Sequence, residues 1–327
     1  MLSRFSDPGH LHLAISLLEI FVRSTLVPDH RYILGLMDLG VALWHRSLRF
    51  GRPGDIEKAI SRYNEAIELI PDSDPQKPNH LNILALFYLT RFECLGEPSD
   101  LHHVIARYRK VLALTPTGHP DEADRLNNLA HSLSARFKRF GELGDLEQAI
   151  SRHKDVLELT PDDHPDKPVR IDNLASCFLT RFKLVGGLSD LEEATSRHRT
   201  AVEVTPDDHP NKLTCLSNLA LCFFTRFQRF GELSDLDHAI SRYKETLKLT
   251  PDGHPNKPDR LNNLSVCFRV RFERLGELCD LQEAVLRQRD AVELTPNGHR
   301  DKPGRLNNLG ICFHSRFKHL GEVNDLE

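Results

Sequence analysis

The chain has 327 residues, with 28% charged, 39% hydrophobic and a formal net charge of -4. That balance supplies enough apolar residues for a core and gives no electrostatic footprint for nucleic acid or an anionic membrane surface. The longest apolar runs, such as Leu216 to Phe224, fall far short of a membrane span, and Met1 to His10 lacks the basic-then-apolar pattern of a signal peptide.

Taken in order, the first 33 residues read as a worn copy of the repeats that come after them. Ala14, Ile15 and Ser16 align with Ala59, Ile60 and Ser61, and Met1 aligns with Arg46, late in a first helix. The sequence thus opens in mid-repeat. From Leu34 to Pro303 nearly the same line returns every 45 residues, giving units at 34–78, 79–123, 124–168, 169–213, 214–258 and 259–303. Arg46, Arg91, Arg136, Arg181, Arg226, Arg271 and Arg316 keep the step without an insertion, as do Asp55, Asp100, Asp145, Asp190, Asp235, Asp280 and Asp325. A partial unit, 304–327, ends two residues after Asp325, where a second helix should begin. The expectation is a piece of a longer protein or a truncated gene. A period of this length signals an array whose units stack because none buries its apolar face alone.

Within unit 124–168, Leu126, Leu129, Ala130, Leu133, Phe137 and Phe140 lie at spacings of three and four. This predicts a helix A of about 16 residues, roughly 24 Å long. Gly141 and Gly144 are expected to end it and make the turn. Helix B is expected to open at Asp145 and Leu146 and to bury Ala149, Ile150, His153, Val156 and Leu157 on one face. In the next unit Ser189 to Glu192 reads as a capping box for this start. Pro161 stops helix B, and Asp162 to Pro168 forms a stiffened, solvated return. Exposed faces carry helix-spaced ion pairs such as Glu193 with Arg197 and Glu283 with Arg287, each worth a few tenths of a kcal/mol. No alternating strand pattern occurs.

These residues resemble the tetratricopeptide repeat (TPR). Leu261, Leu264, Ser265 and Phe268 match its first helix, and Ala239, Tyr243, Thr246 and Pro251 its second. The departure is length, 45 residues against about 34 in the family. Extra residues fall between Leu133 and Ala149 and in the Pro-rich loop, so helix A should be longer than usual. The resemblance implies an all-α, right-handed superhelical solenoid of stacked antiparallel helix pairs, its concave wall lined by helix A. Long, closely similar units of this kind look like those of large fungal proteins that also carry a CHAT domain, a caspase-like peptidase fold, or a nucleotide-binding switch domain. Neither catalytic part is present here.

Chemistry-bearing candidates are few. His119, His164, His209, His254 and His299 sit beside acids and prolines, which admits metal binding or loop-fixing hydrogen bonds. Metal is disfavoured because equivalent residues of stacked units lie about 10 Å apart, whereas zinc ligands converge to about 2 Å of one ion. The Arg136 and Asp145 pair reads either as a ligand ladder or as a tie between helix A and helix B. Cys177, Cys222, Cys267 and Cys312 share one phase and suit small buried hydrophobes in a reducing, cytoplasmic compartment. Phe92, Phe137, Phe182, Phe227, Phe272 and Phe317 share another and should bridge neighbouring units. The pairs Asn127–Asn128, Asn262–Asn263 and Asn307–Asn308 serve either binding or structure, one member facing the groove and the other a neighbouring helix. The basic carboxylate clamp of some TPR grooves needs Asn where this chain has Leu86, His131, Ser176, Leu221, Val266 and Ile311, so that clamp is absent.

The expected function is a non-catalytic scaffold holding a peptide or protein partner on the concave face through Asn82, Asn127, His131, Ser134, Asp172, Ser217, Asn262, Arg269, Asn307 and His314. No cofactor, metal, nucleic acid or membrane is expected, and uncapped ends could support self-association. The rival reading is the sensor or regulatory arm of a larger enzyme.

Overall fold

A computed structural model describes residues 8–27 and 29–321. All regular structure among them is α-helical. In chain order the helices are α1 (Pro8–Ser24), α2 (His30–Phe50), α3 (Pro53–Leu69), α4 (Lys77–Leu95), α5 (Ser99–Ala113), α6 (Glu122–Phe140) and α7 (Leu143–Glu158). They continue with α8 (Lys167–Val185), α9 (Leu188–Val204), α10 (Lys212–Phe230), α11 (Leu233–Lys248), α12 (Lys257–Leu275), α13 (Leu278–Glu293) and α14 (Lys302–Leu320). Even-numbered helices are the A helices of the repeat and odd-numbered ones the B helices. Met1, Asp325 and the helix expected to open at Asp325 lie outside the described residues.

The chain divides into two compact units, Met1–Pro161 and Asp162–Glu327. In the first, α2 packs on α3, α4 on α5 and α6 on α7, while α3 and α5 each also touch the following helix A. In the second, α8 on α9, α10 on α11 and α12 on α13 repeat the arrangement, with α9, α11 and α13 closing on the next helix A. Helices α3, α5, α9, α11 and α13 are thus each sandwiched between two helices A, which no single pair could achieve.

Small side chains set the approach within a pair. Ala85, Ala130, Ala175 and Ala220 on the A helices and Ala59, Ala149, Ala194, Ala239 and Ala284 on the B helices are fully buried. At Gly40, a Cβ would meet the Tyr63 ring at 3.1 Å and the Ala59 carbonyl at 3.3 Å, so this contact leaves little room for a larger residue. The core of the second unit gathers Leu219, Phe223, Phe227, Tyr243, Leu264 and Phe268 around these contacts. Phe227 is 3% exposed and lies under the Arg274 guanidinium of the next helix A, 5.8 Å from its ring centroid. Phe272 likewise meets His319 of the next helix A edge-on at 4.9 Å. At Phe227 and Phe272 the recurring phenylalanine thus reaches the neighbouring repeat, whereas Phe92 and Phe317 are only half-buried.

Several boundaries differ from the sequence reading. Helix A of the third unit runs 19 residues, because it starts at Glu122, four residues before the apolar stripe. Its counterparts α4, α8, α12 and α14 open on Lys-Pro, where proline's missing amide has no helical partner to lose. Phe140, placed in the stripe by its spacing, is 41% exposed. Gly141 does end helix A, with φ 77° and its amide donating to the Phe137 carbonyl at 2.7 Å. Gly144 makes no turn; it lies in the first turn of α7, and nothing is within 4 Å of its missing Cβ. The capping box at Ser189 to Glu192 does not form. α9 begins at Leu188 after Gly187, so Ser189 already lies inside the helix and no side chain caps its start.

Candidate functional site

Two sets of polar side chains fix each helix pair before any surface is left for a partner. The first ties the end of helix A to the start of helix B. Arg136 donates from Nε to Asp145 Oδ2 at 2.7 Å and from Nη2 to Oδ1 at 2.5 Å. The same tie recurs as Arg46–Asp55, Arg91–Asp100, Arg181–Asp190 and Arg271–Asp280 at closest distances of 2.5–2.7 Å, and more loosely as Arg226–Asp235 at 3.4 Å. The Arg46 hydrogen bond holds the Asp55 carboxyl below the usual carboxylate range. These side chains face each other rather than a ligand, so the tie between helices is the reading that holds.

The second set has no counterpart in the sequence reading. Arg125, Arg170, Arg260 and Arg305, which look like surface charges, are 4–8% exposed. Arg125 donates to Thr115 Oγ1 at 2.5 Å and Arg260 to Thr250 Oγ1 at 2.5 Å, each threonine lying just past the preceding helix B. Lys212 and Lys302, the first residues of their helices, donate to the carbonyls of Val202 and Thr205 and of Val292 and Thr295 at 2.6–2.9 Å. Cations thus cap the open carbonyls at the ends of α9 and α13 and the threonine hydroxyls just past α5 and α11. For Arg170, Arg260, Lys302 and Arg305 the signal that could have revealed them is the recurring Lys-Pro-x-Arg; Arg125 and Lys212 lack it.

The regularly spaced histidines do the loop-fixing work. Nδ1 of His119, His164, His209, His254 and His299 accepts from the backbone N–H two residues on at 3.1–3.2 Å. No group of three His, Cys, Asp or Glu among the described residues is placed to hold a metal ion. Cys177, Cys222, Cys267 and Cys312 are buried, and burial pushes the Cys222 and Cys267 thiols up to about 12.

The asparagine positions form rungs between successive A helices. Asn128 Nδ2 reaches Asn82 Oδ1 at 3.4 Å, Asn218 reaches Asp172 Oδ2 at 2.8 Å, and Asn308 reaches Asn262 Oδ1 at 3.0 Å. Two rungs extend to helix B: His198 Nδ1 lies 2.7 Å from Asp172 Oδ1, and Gln288 Nε2 donates to Asn262 Oδ1 at 3.0 Å. Of the ten candidate residues, Asn82, Asp172 and Asn262 are therefore engaged in the stack. Ser217 donates to the Leu213 carbonyl, and Arg269 pairs with Glu273. Asn127 and Ser134 are half-buried, whereas His131, Asn307 and His314 are exposed. His131 lies edge-on to His153 at 5.3 Å; burial, with His131 adding to it, lowers the His153 pKa to about 3.

What remains open on the A helices is partly apolar. Ile311 is 39% exposed and Leu86 40%, and Leu221 and Val266 at the same phase are half-buried. On α2 the row runs Leu34, Val41 and Leu48, with Leu34 and Leu48 at 45% and 52%. Spacing by seven along α2 could have revealed it, but the sequence marks the shared phase only by the lack of a carboxylate clamp.

The class so defined is an all-α helical repeat fold. Residues 123–166 and 213–256 match the family model of the tetratricopeptide repeat. Among solved structures, BtubC (BKLC) from P. vanneervenii shares the fold at a TM-score of 0.54 and 16% identity, over 75% of this chain and 95% of that one. Human IFIT1, solved as a dimer with PPP-AAAA, gives 0.52 and 15%, over 95% of this chain and 63% of that one. No curated protein matches the sequence. No helix of the described residues is long and apolar enough to cross a membrane.

Proposed function

We propose that the chain is a non-catalytic scaffold that holds a peptide or protein segment against its A helices. The observation that carries this reading is the row Leu221, Val266 and Ile311 on three successive A helices, half-buried at the first two positions and exposed at the third. Open apolar side chains on an otherwise polar surface mark contact with another molecule. Two turns further along the same helices Gln228, Glu273 and Lys318 are exposed, and His314 is exposed one turn past Ile311, which supplies a polar edge to the row. The partner fitting this surface offers apolar anchors, not a terminal carboxylate. Asp172 and Asn262 support the row by holding its helices in register and Asn82 does the same for α4 and α6, while the exposed His131, Asn307 and His314 contact the partner. The net charge of -4 disfavours nucleic acid as the ligand.

A random peptide library displayed against the immobilised chain tests the reading. Enriched peptides should share apolar anchors. Leu221→Asp and Ile311→Asp should each weaken their binding by about tenfold or more, the effect of losing roughly 1.4 kcal/mol at a buried contact, with melting unchanged. Enriched peptides indifferent to both substitutions, or no enrichment, would contradict it.

A further inference from the structure

The outer edge of α1 breaks the pattern of every other helix B. Leu13, Leu17 and Ile20 are 58%, 57% and 60% exposed, although Leu11, Ile15 and Val22 already bury the opposite side of the helix. One repeat later the same three positions are Lys58, Arg62 and Glu65, and at the far end Glu283, Arg287 and Asp290. All six described helices B after α1 are polar at all three positions.

This edge is not the seat of another unit of the same kind. Arg107 of α5, which shares the phase of Leu17, donates to Asn64 of α3 at 3.0 Å, so in the repeat the Leu17 position meets the preceding helix B, while Glu65, at the phase of Ile20, accepts from the Tyr32 hydroxyl of its own helix A at 2.6 Å. The phase of Asn64 is filled elsewhere by Arg109, Lys154, Arg199, Lys244 and Arg289. Such a neighbour would bury a polar or cationic side chain against Leu17, at a desolvation cost with nothing to offset it.

Spacings of four and then three residues from Leu13 through Leu17 to Ile20 are those of a seam that packs knobs into holes against another apolar helix. An edge of this kind is self-complementary: across a two-fold axis, aliphatic meets aliphatic and no charge is buried. We infer that α1 pairs with α1 of a second copy of this chain. With Phe21, 42% exposed beside the seam, the strip amounts to a few hundred Å2, below the roughly 800 Å2 per partner of a stable interface. The dimer is therefore weak and concentration-dependent, with a Kd on the order of 10 to 100 μM.

Sedimentation of the full chain from about 5 to about 200 μM, spanning that range, tests it. The expected result is a monomer–dimer equilibrium abolished by Leu13→Lys, Leu17→Arg and Ile20→Glu together, which restore the residues of the next unit without changing the helical signal or the melting temperature. In a Cys94→Ser, Cys279→Ser background, which removes the exposed thiols, Leu17→Cys should form a disulfide between two copies on mild oxidation. A monomer throughout, a triple variant that still dimerises, or a Leu17→Cys chain that does not cross-link would overturn the proposal.

Discussion

Arg136 and Asp145, nine residues apart in sequence, share two hydrogen bonds of 2.7 and 2.5 Å across the turn that joins α6 to α7. Asp145 is 3% exposed and the Arg136 side chain 14%, so water screens the pair poorly. Arg136→Gln should lower the unfolding free energy by about 1.5 to 3 kcal/mol, the worth of hydrogen bonds to a charged group. At Arg226–Asp235 the closest approach is 3.4 Å and the arginine side chain is 36% exposed, so Arg226→Gln should cost less than half as much. Equal losses in urea denaturation would show that the ties do not act through this geometry.

Phe227→Ala removes a ring buried between successive units and should cost about 3 to 5 kcal/mol. Phe230→Ala, three residues on at 47% exposure, should cost about 0.5 kcal/mol or less. Chemical denaturation of both variants makes the comparison, and a Phe227→Ala loss below about 1 kcal/mol would place the ring outside the core.

How much of this is legible in the sequence can be judged from those residues. The Arg136–Asp145 tie and the burial of Phe227 follow from strict spacing, because a residue kept at one phase of every unit meets the same surroundings each time. Helix starts are not legible. Apolar periodicity marks where a helix is buried, and the Lys-Pro-Asp-Arg turn opening α12 carries no residue of the apolar stripe to announce it. Arg125 and Arg305 escape notice because a cation in a polar stretch reads as solvated, and only the fold reveals the threonine hydroxyl and the Asn79 or Asp259 side chain that receive it. Asp172 stands among the expected partner-binding residues on the phase of Asn127, yet its buried contact with His198 joins residues 26 positions apart, beyond any helical spacing.

Acid should weaken the fold through His153. Burial lowers its pKa to about 3, against about 6.5 for an unfolded histidine, so between these values the unfolded chain binds the proton and the folded chain does not. The contribution of neutral His153 is complete above pH about 6.5 and declines as pH falls toward 3, with a limiting slope of about 1.4 kcal/mol per pH unit. His153→Gln, the residue found at the same phase as Gln288, should flatten the loss between pH 7 and pH 5. Parallel pH profiles of the two proteins would show that His153 protonates in the folded state.

The thiols should divide by burial. Cys94 and Cys279 are exposed, whereas the Cys222 and Cys267 thiols are buried and raised to about 12, leaving almost no thiolate at neutral pH. Brief alkylation of the native protein followed by peptide mass spectrometry should label Cys94 and Cys279 fully and the buried thiols only after denaturation. Rapid native labelling of Cys222 or Cys267 would mean that the units open far more often than this packing allows.

The central claim, that the partner lies along the A helices, is tested most directly by photo-cross-linking a library-selected peptide. A benzophenone amino acid is placed at Leu221 on α10 in one protein and at Glu193 on the outer face of α9 in another. The account predicts efficient cross-linking from position 221 and none above background from position 193. Cross-linking from position 193 alone would contradict it, placing the binding surface on the B helices.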